Sequence, residues 1–126
     1  MKPKFSISES EWQVLACLWK QSHMEIKDIV TALHPRTGWN ANMVRTLVVR
    51  LQEKGAVGAE KGSRCYRYYP VADQKSCTLE ETESFLDRVF DGSPAKMIAA
   101  LTGSGKLSRK DCDEIQQMLN HLKEGN

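Results

Sequence analysis

The stretch Asn40–Gly55, "NANMVRTLVVRLQEKG", reads as one helix, with Asn40 suited to cap its start and Gly55 to stop it. Val44, Leu47, Val48 and Leu51 recur at three- and four-residue spacing and form its buried stripe. The face left outside carries Asn42, Met43, Arg45, Thr46, Val49 and Arg50, with no acid until Glu53. A helix surface made only for water ordinarily mixes charges of both signs. This one offers donors and cations and omits the charge that would repel a polyanion.

Upstream, "SESEW" announces another helix, with Ser8 as cap and Glu11 closing the capping box. Trp12, Leu15, Ala16 and Trp19 follow at helical spacing, widened by Val14 and Leu18, and Cys17 fills core space among them. A short helix over Glu25 to Leu33 turns Ile26, Ile29, Val30 and Leu33 inward, and Pro35 with Gly38 is expected to end it. Trp39 is suited to a hydrophobic staple. Downstream, "AVGAEKGSRCYRYYP" predicts two strands around a turn at Gly62 and Ser63, closed by Pro70. Tyr66, Tyr68 and Tyr69 are expected to pack this hairpin onto the domain. Three helices followed by a basic hairpin make a winged helix-turn-helix, whose second and third helices form the reading pair.

Residues 70–77, "PVADQKSC", read as a connection, and the rest is helical. Leu79, Phe85, Leu86, Val89 and Phe90 stripe one helix, which "DGSP" ends. Met97, Ile98 and Leu101 mark a second, stopped by "TGSGK"; Ser108 caps a third with Leu107, Ile115, Leu119 and Leu122 on one side. Three short helices are too few to enclose a private core. Leu79, Phe85, Leu86, Val89, Phe90, Met97, Leu101, Ile115, Leu119 and Leu122 are therefore expected to meet a second copy across a two-fold dimer interface. The predicted fold class is mainly α: a winged helix-turn-helix domain with a small β-hairpin wing over residues 1–72, then a three-helix dimerisation domain over residues 73–126.

The charge is divided the same way. Residues 1–72 hold 11 Lys/Arg against 6 Asp/Glu, and residues 73–126 hold 7 against 10, so the front half favours a polyanion and the back half does not. No stretch approaches the roughly 20 apolar residues that span a bilayer, and the first residues lack a secretory leader, so a cytoplasmic protein without membrane insertion is expected. Cys17, Cys65, Cys77 and Cys112 are scattered, and His23, His34 and His121 stand far apart; neither set has metal-ligand spacing. With no Gly-rich phosphate loop and no nucleophile–base pair, neither a cofactor nor an enzyme is expected.

Three segments, "SESEWQVLACLW" (Ser8–Trp19), "MVRTLVVRLQEKG" (Met43–Gly55) and "GSRCYRYYP" (Gly62–Pro70), resemble the BlaI/MecI/CopY family of bacterial transcriptional repressors. The middle one is similar to the family's T-V-x-T-L-L-x-R-L-x-x-K-G pattern. The likeness extends more weakly through "FLDRVFDGSP" and "LSRKDCDEIQQML". It implies a dimeric repressor that binds pseudo-palindromic operators on double-stranded DNA and is released by a signal. In penicillinase-type members that signal is proteolysis after a membrane sensor detects a β-lactam; in copper-type members it is metal binding at paired C-terminal cysteine motifs. Only Cys112 stands near the C-terminus here, which argues against the copper scheme. Ala100 and Leu101 occupy the positions of the Asn-Phe bond cut in penicillinase-type members. Met43 replaces the usual threonine, so the operator sequence does not carry over.

An α-helix fits the major groove, with its N-terminal residues reaching furthest in. Besides Asn40 at the cap, Asn42 suits adenine, Arg45 guanine or phosphate, and Met43 a thymine methyl. Arg50 lies on the same face, and Thr46 and Lys54 are expected to position the protein on phosphates. Lys61, Arg64 and Arg67 suit a wing beside the backbone. Two rival readings remain: a winged-helix adaptor for proteins, and a thiol-responsive regulator using Cys65 or Cys77.

Overall fold

Each helix of the front half begins at a side-chain cap or ends on a glycine. In the computed structural model, which describes residues 5–125, α1 (Glu9–Lys20) opens with the expected capping box: Glu11 N donates to Ser8 Oγ and Ser8 N to Glu11 Oε1. Helix α2 spans Ile26–Thr37 and α3 spans Ala41–Glu53. Met43 N donates to Asn40 Oδ1 at 3.0 Å, and Gly55 adopts φ 80, the left-handed stop that a side chain would disfavour.

Strands β1 (Val57–Lys61) and β2 (Tyr66–Pro70) pair antiparallel from Val57↔Pro70 to Lys61↔Tyr66. Met24, between α1 and α2, adds a rung beside β2 through Met24 N→Tyr68 O and Tyr68 N→Met24 O. A side chain at Gly58 would run into the Tyr69 ring, so the glycine lets that ring lie flat across β1.

One apolar cluster joins these elements. Val14, Leu15 and Leu18 of α1, Ile29 and Leu33 of α2, and Val44, Leu47, Val48 and Leu51 of α3 are buried together with Met24, Val57, Ala72 and Cys77. Burying each large aliphatic side chain contributes about 1.5–3 kcal/mol, so α3 is fixed by its apolar stripe while its other face stays in solvent. Trp12 and Trp19 meet edge to face at 5.3 Å, and Trp19 Nε1 donates to Ala72 O, which ties α1 to the chain leaving the wing.

Three local expectations are corrected. Helix α2 does not stop before Pro35 but runs through it to Thr37. The proline sits in the last turn; the donor it lacks would have met the carbonyl of Thr31, an exposed residue open to water, while Thr37 Oγ1→Leu33 O and Gly38 N→His34 O close the end of the helix. The hairpin loop is not a two-residue turn at Gly62 and Ser63 but spans residues 62–65, closed by Gly62 N→Cys65 O. The second half of the expected connection at 70–77 belongs to helix α4 (Gln74–Phe90): Asp73 Oδ2 accepts from Ser76 N and Ser76 Oγ, a side-chain cap that starts the helix early. Those two bonds hold the Asp73 carboxyl below its ordinary pKa.

The chain divides into two compact units, Met1–Ser84 and Phe85–Asn126. In the second, Phe85 and Phe90 meet edge to face at 5.8 Å, with the Arg88 guanidinium 5.7 Å from the Phe85 ring. Ser93 caps α5 (Pro94–Ser104), and a Ser108–Asp111 capping box starts α6 (Arg109–Glu124). Neither α5 nor α6 buries a residue, and Val89, Ile98, Met118, Leu119 and Leu122 are exposed in the single chain.

Candidate nucleic-acid interface

The outward face of α3 is as the sequence predicts: Asn42, Met43, Arg45, Thr46, Val49 and Arg50 are exposed over the buried stripe. Two of the expected base readers are joined, with Arg45 Nη1 donating to Asn42 Oδ1 at 3.1 Å. That bond sets the guanidinium beside the amide and engages one of the five guanidinium donors and neither amide donor of Asn42. Thr46 Oγ1 donates to Asn42 O within the helix, so its hydroxyl is already engaged and must rotate before donating to a phosphate.

Beyond the helix, Lys61, Arg64 and Arg67 are exposed on the wing. Among the described residues Arg50, Lys61 and Arg64 form no ion pair, whereas Arg67 Nη1 lies 3.7 Å from Glu60 Oε1. An open cleft of about 400 Å³ separates the start of α3 from the wing, lined by Glu25, Ile26, Lys27, Ala41, Arg45, Cys65, Tyr66 and Tyr68. Tyr68 packs against the core and Tyr69 covers Gly58, as expected for the wing tyrosines. Tyr66 is 56% exposed, because it stands at the loop end of β2, beyond the reach of the core.

Lys54 is placed differently from the other cations. Its ammonium donates to Glu11 Oε1 and, at 2.8 Å, to Ser6 O, turned away from the open face of α3. Glu11 is 2% exposed. Burial pushes its carboxyl up, but the hydrogen bonds from Lys54 and Ser8 outweigh this and hold it below the ordinary glutamate pKa, so it is an anion in need of that cation. The capping-box reading of Glu11 was correct but incomplete, because the partner 43 residues away leaves no local signal.

No disulfide joins the four cysteines. Cys65 is exposed in the wing loop; Cys77 is 6% exposed in the core and Cys17 sits beside Met24, where burial pushes its thiol pKa up. No cluster of His, Cys, Asp and Glu among the described residues is arranged to hold a metal, and no helix among them is long and apolar enough to cross a membrane.

Comparison with known proteins extends the likeness over nearly the whole chain. The model of the family "Penicillinase repressor" matches residues 7–121. The chain belongs to the penicillinase repressor family. It is thereby a member of a family of transcriptional repressors, not of enzymes. The penicillinase repressor of Bacillus licheniformis is 28% identical over 98% of this chain and 96% of its own length. The methicillin resistance regulatory protein MecI of Staphylococcus aureus is 22% identical over 92% of this chain and 94% of its own. Among solved structures, the DNA-binding domain of the repressor BlaI superposes with a TM-score of 0.53 at 29% identity, covering 60% of this chain and 93% of that one. YusO of Bacillus subtilis, 16% identical, shares the fold with a TM-score of 0.52 over 98% of this chain and 79% of its own. The winged helix expected from the sequence is therefore the fold of this penicillinase repressor family member.

Proposed function

We propose that this penicillinase repressor family member is a cytoplasmic homodimer that represses transcription by binding a pseudo-palindromic operator. Each subunit sets Asn40–Lys54 in a major groove and the wing, residues 56–69, on the neighbouring backbone. Residues 1–72 serve as the DNA-binding domain and residues 73–126 hold the dimer. The observation that carries this reading is the exposed face of α3, without an acid from Asn42 to Arg50 and with Arg45 and Asn42 already joined, set across an open cleft from the wing. A protein-binding adaptor has no use for such a face.

In this reading Asn42, Met43 and Arg45 read bases, and Arg50, Lys61, Arg64 and Arg67 hold phosphates. Lys54 acts indirectly by fixing the end of α3 to α1. Release follows an inducing signal, for which proteolysis at Ala100–Leu101 by an activated protease or membrane sensor is the route that kinship supplies. Both residues lie inside α5, so cutting there requires that helix to open first. Enzymatic footprinting on the DNA upstream of the protein's own gene tests the proposal. Two protected half-sites about one helical turn apart, related by two-fold symmetry, are expected; uniform protection of unrelated DNA would contradict it.

A further inference from the structure

Glu60 is the one acid on the wing strands, and it stands directly across the hairpin from Arg67. Its two carboxylate oxygens face different partners: Oε1 lies 3.7 Å from Arg67 Nη1, and Oε2 lies 3.7 Å from Nε2 of His23, in the turn between α1 and α2. The imidazole is itself placed by the Tyr69 ring, 4.9 Å away, and by Ser22 Oγ, 3.2 Å from Nδ1. The carboxylate thus lies between the imidazole on the domain side and the arginine on the wing side. Both members of the Glu60–Arg67 pair are about half exposed, so the pair is one that a phosphate can replace.

We propose that Glu60 is a restraint on the wing, which keeps Arg67 from phosphates until the recognition helix is seated. The inference rests on the DNA-binding reading above. A guanidinium with no carboxylate beside it adds affinity for any duplex, because phosphate contacts carry no sequence information. With Glu60 in place, Arg67 must exchange one anion for another. That exchange is favoured where base contacts by Asn42 and Arg45 hold the wing against the backbone. On random DNA the wing is not held, and the internal pair persists. Where the exchange occurs, Glu60 lowers affinity by the full strength of the pair; where the pair persists, it lowers affinity only by the weaker phosphate contact that Arg67 forgoes, so its removal tightens operator binding at least as much as non-specific binding.

The test is fluorescence anisotropy with a random duplex and with the upstream fragment, for the parent, Glu60→Gln, Arg67→Ala and the double variant. Glu60→Gln is expected to tighten binding to the upstream fragment by about two- to fivefold, the range that exposed ion pairs span, and to tighten binding to random duplex by no more than that. In the Arg67→Ala background the Glu60→Gln gain should largely vanish. An equal gain with and without Arg67 would mean that Glu60 acts by general repulsion, and no gain in either background would mean that it does not restrain the arginine; both overturn the inference. A parent that binds neither duplex would overturn the DNA-binding reading itself, whereas a parent that binds with Glu60→Gln unchanged would overturn only this one.

Discussion

The Lys54 ammonium, at the end of α3, donates to the carboxylate of Glu11, which is buried at the start of α1. The same carboxylate closes the capping box of α1, so one side chain orders the first turn of one helix and anchors the last of another. The recognition helix is held at its N-terminus by its cap, along its length by the apolar stripe, and at its C-terminus by this pair.

Removing the cation should therefore cost stability. Lys54→Ala leaves a buried carboxylate without its main partner, and a loss of about 3 kcal/mol in denaturant unfolding is expected, reduced to the extent that water enters. Because the folded state lowers the Glu11 pKa, the contribution is present at neutral pH, above the unfolded value, and fades as pH falls through the folded value. The parent should lose stability as pH falls below the ordinary glutamate range, and Glu11→Gln should show a flatter profile there. Identical profiles from urea titrations at several pH values would remove Glu11 from the acid transition.

Arg45→Ala acts on binding and not on folding. Arg45 is exposed and hydrogen-bonds a neighbour on its own helix, so thermal unfolding should shift little. Operator affinity should fall about tenfold or more, from the 1–3 kcal/mol that a good base contact supplies. Equal affinity of variant and parent by anisotropy would take Arg45 out of the interface.

Local chemistry made much of this architecture legible before any coordinates. Ser8, Asn40 and Ser108 cap where the sequence places them, and the stripe Val44–Leu51 is buried as its spacing requires. What escaped is set by distance or by compensation. Pro35 signals a break that the helix tolerates because the carbonyl it deprives belongs to exposed Thr31, and the Asp73 cap lies inside an apparently irregular run. Lys54, counted among the phosphate cations by charge alone, is committed to Glu11, and the bridge from His23 to Glu60 joins residues 37 apart in the chain.

The unsatisfied apolar side chains of α4 and α6 make a separate prediction. Phe85 and Leu119 are 39% and 49% exposed in the single chain, and an interface between copies would cover them. Phe85→Asp or Leu119→Asp should shift sedimentation from dimer to monomer and weaken operator binding with it. A variant still dimeric at the parent's concentration would remove that residue from the contact.

The central claim is that two copies of this chain read one operator. Its most direct measurement is anisotropy of the DNA upstream of the protein's own gene, titrated with the purified protein at several salt concentrations, with random duplex as control. The account predicts saturable preference for the upstream fragment, two chains per site, and affinity that falls steeply with salt. Weak binding, equal on both duplexes, would contradict it.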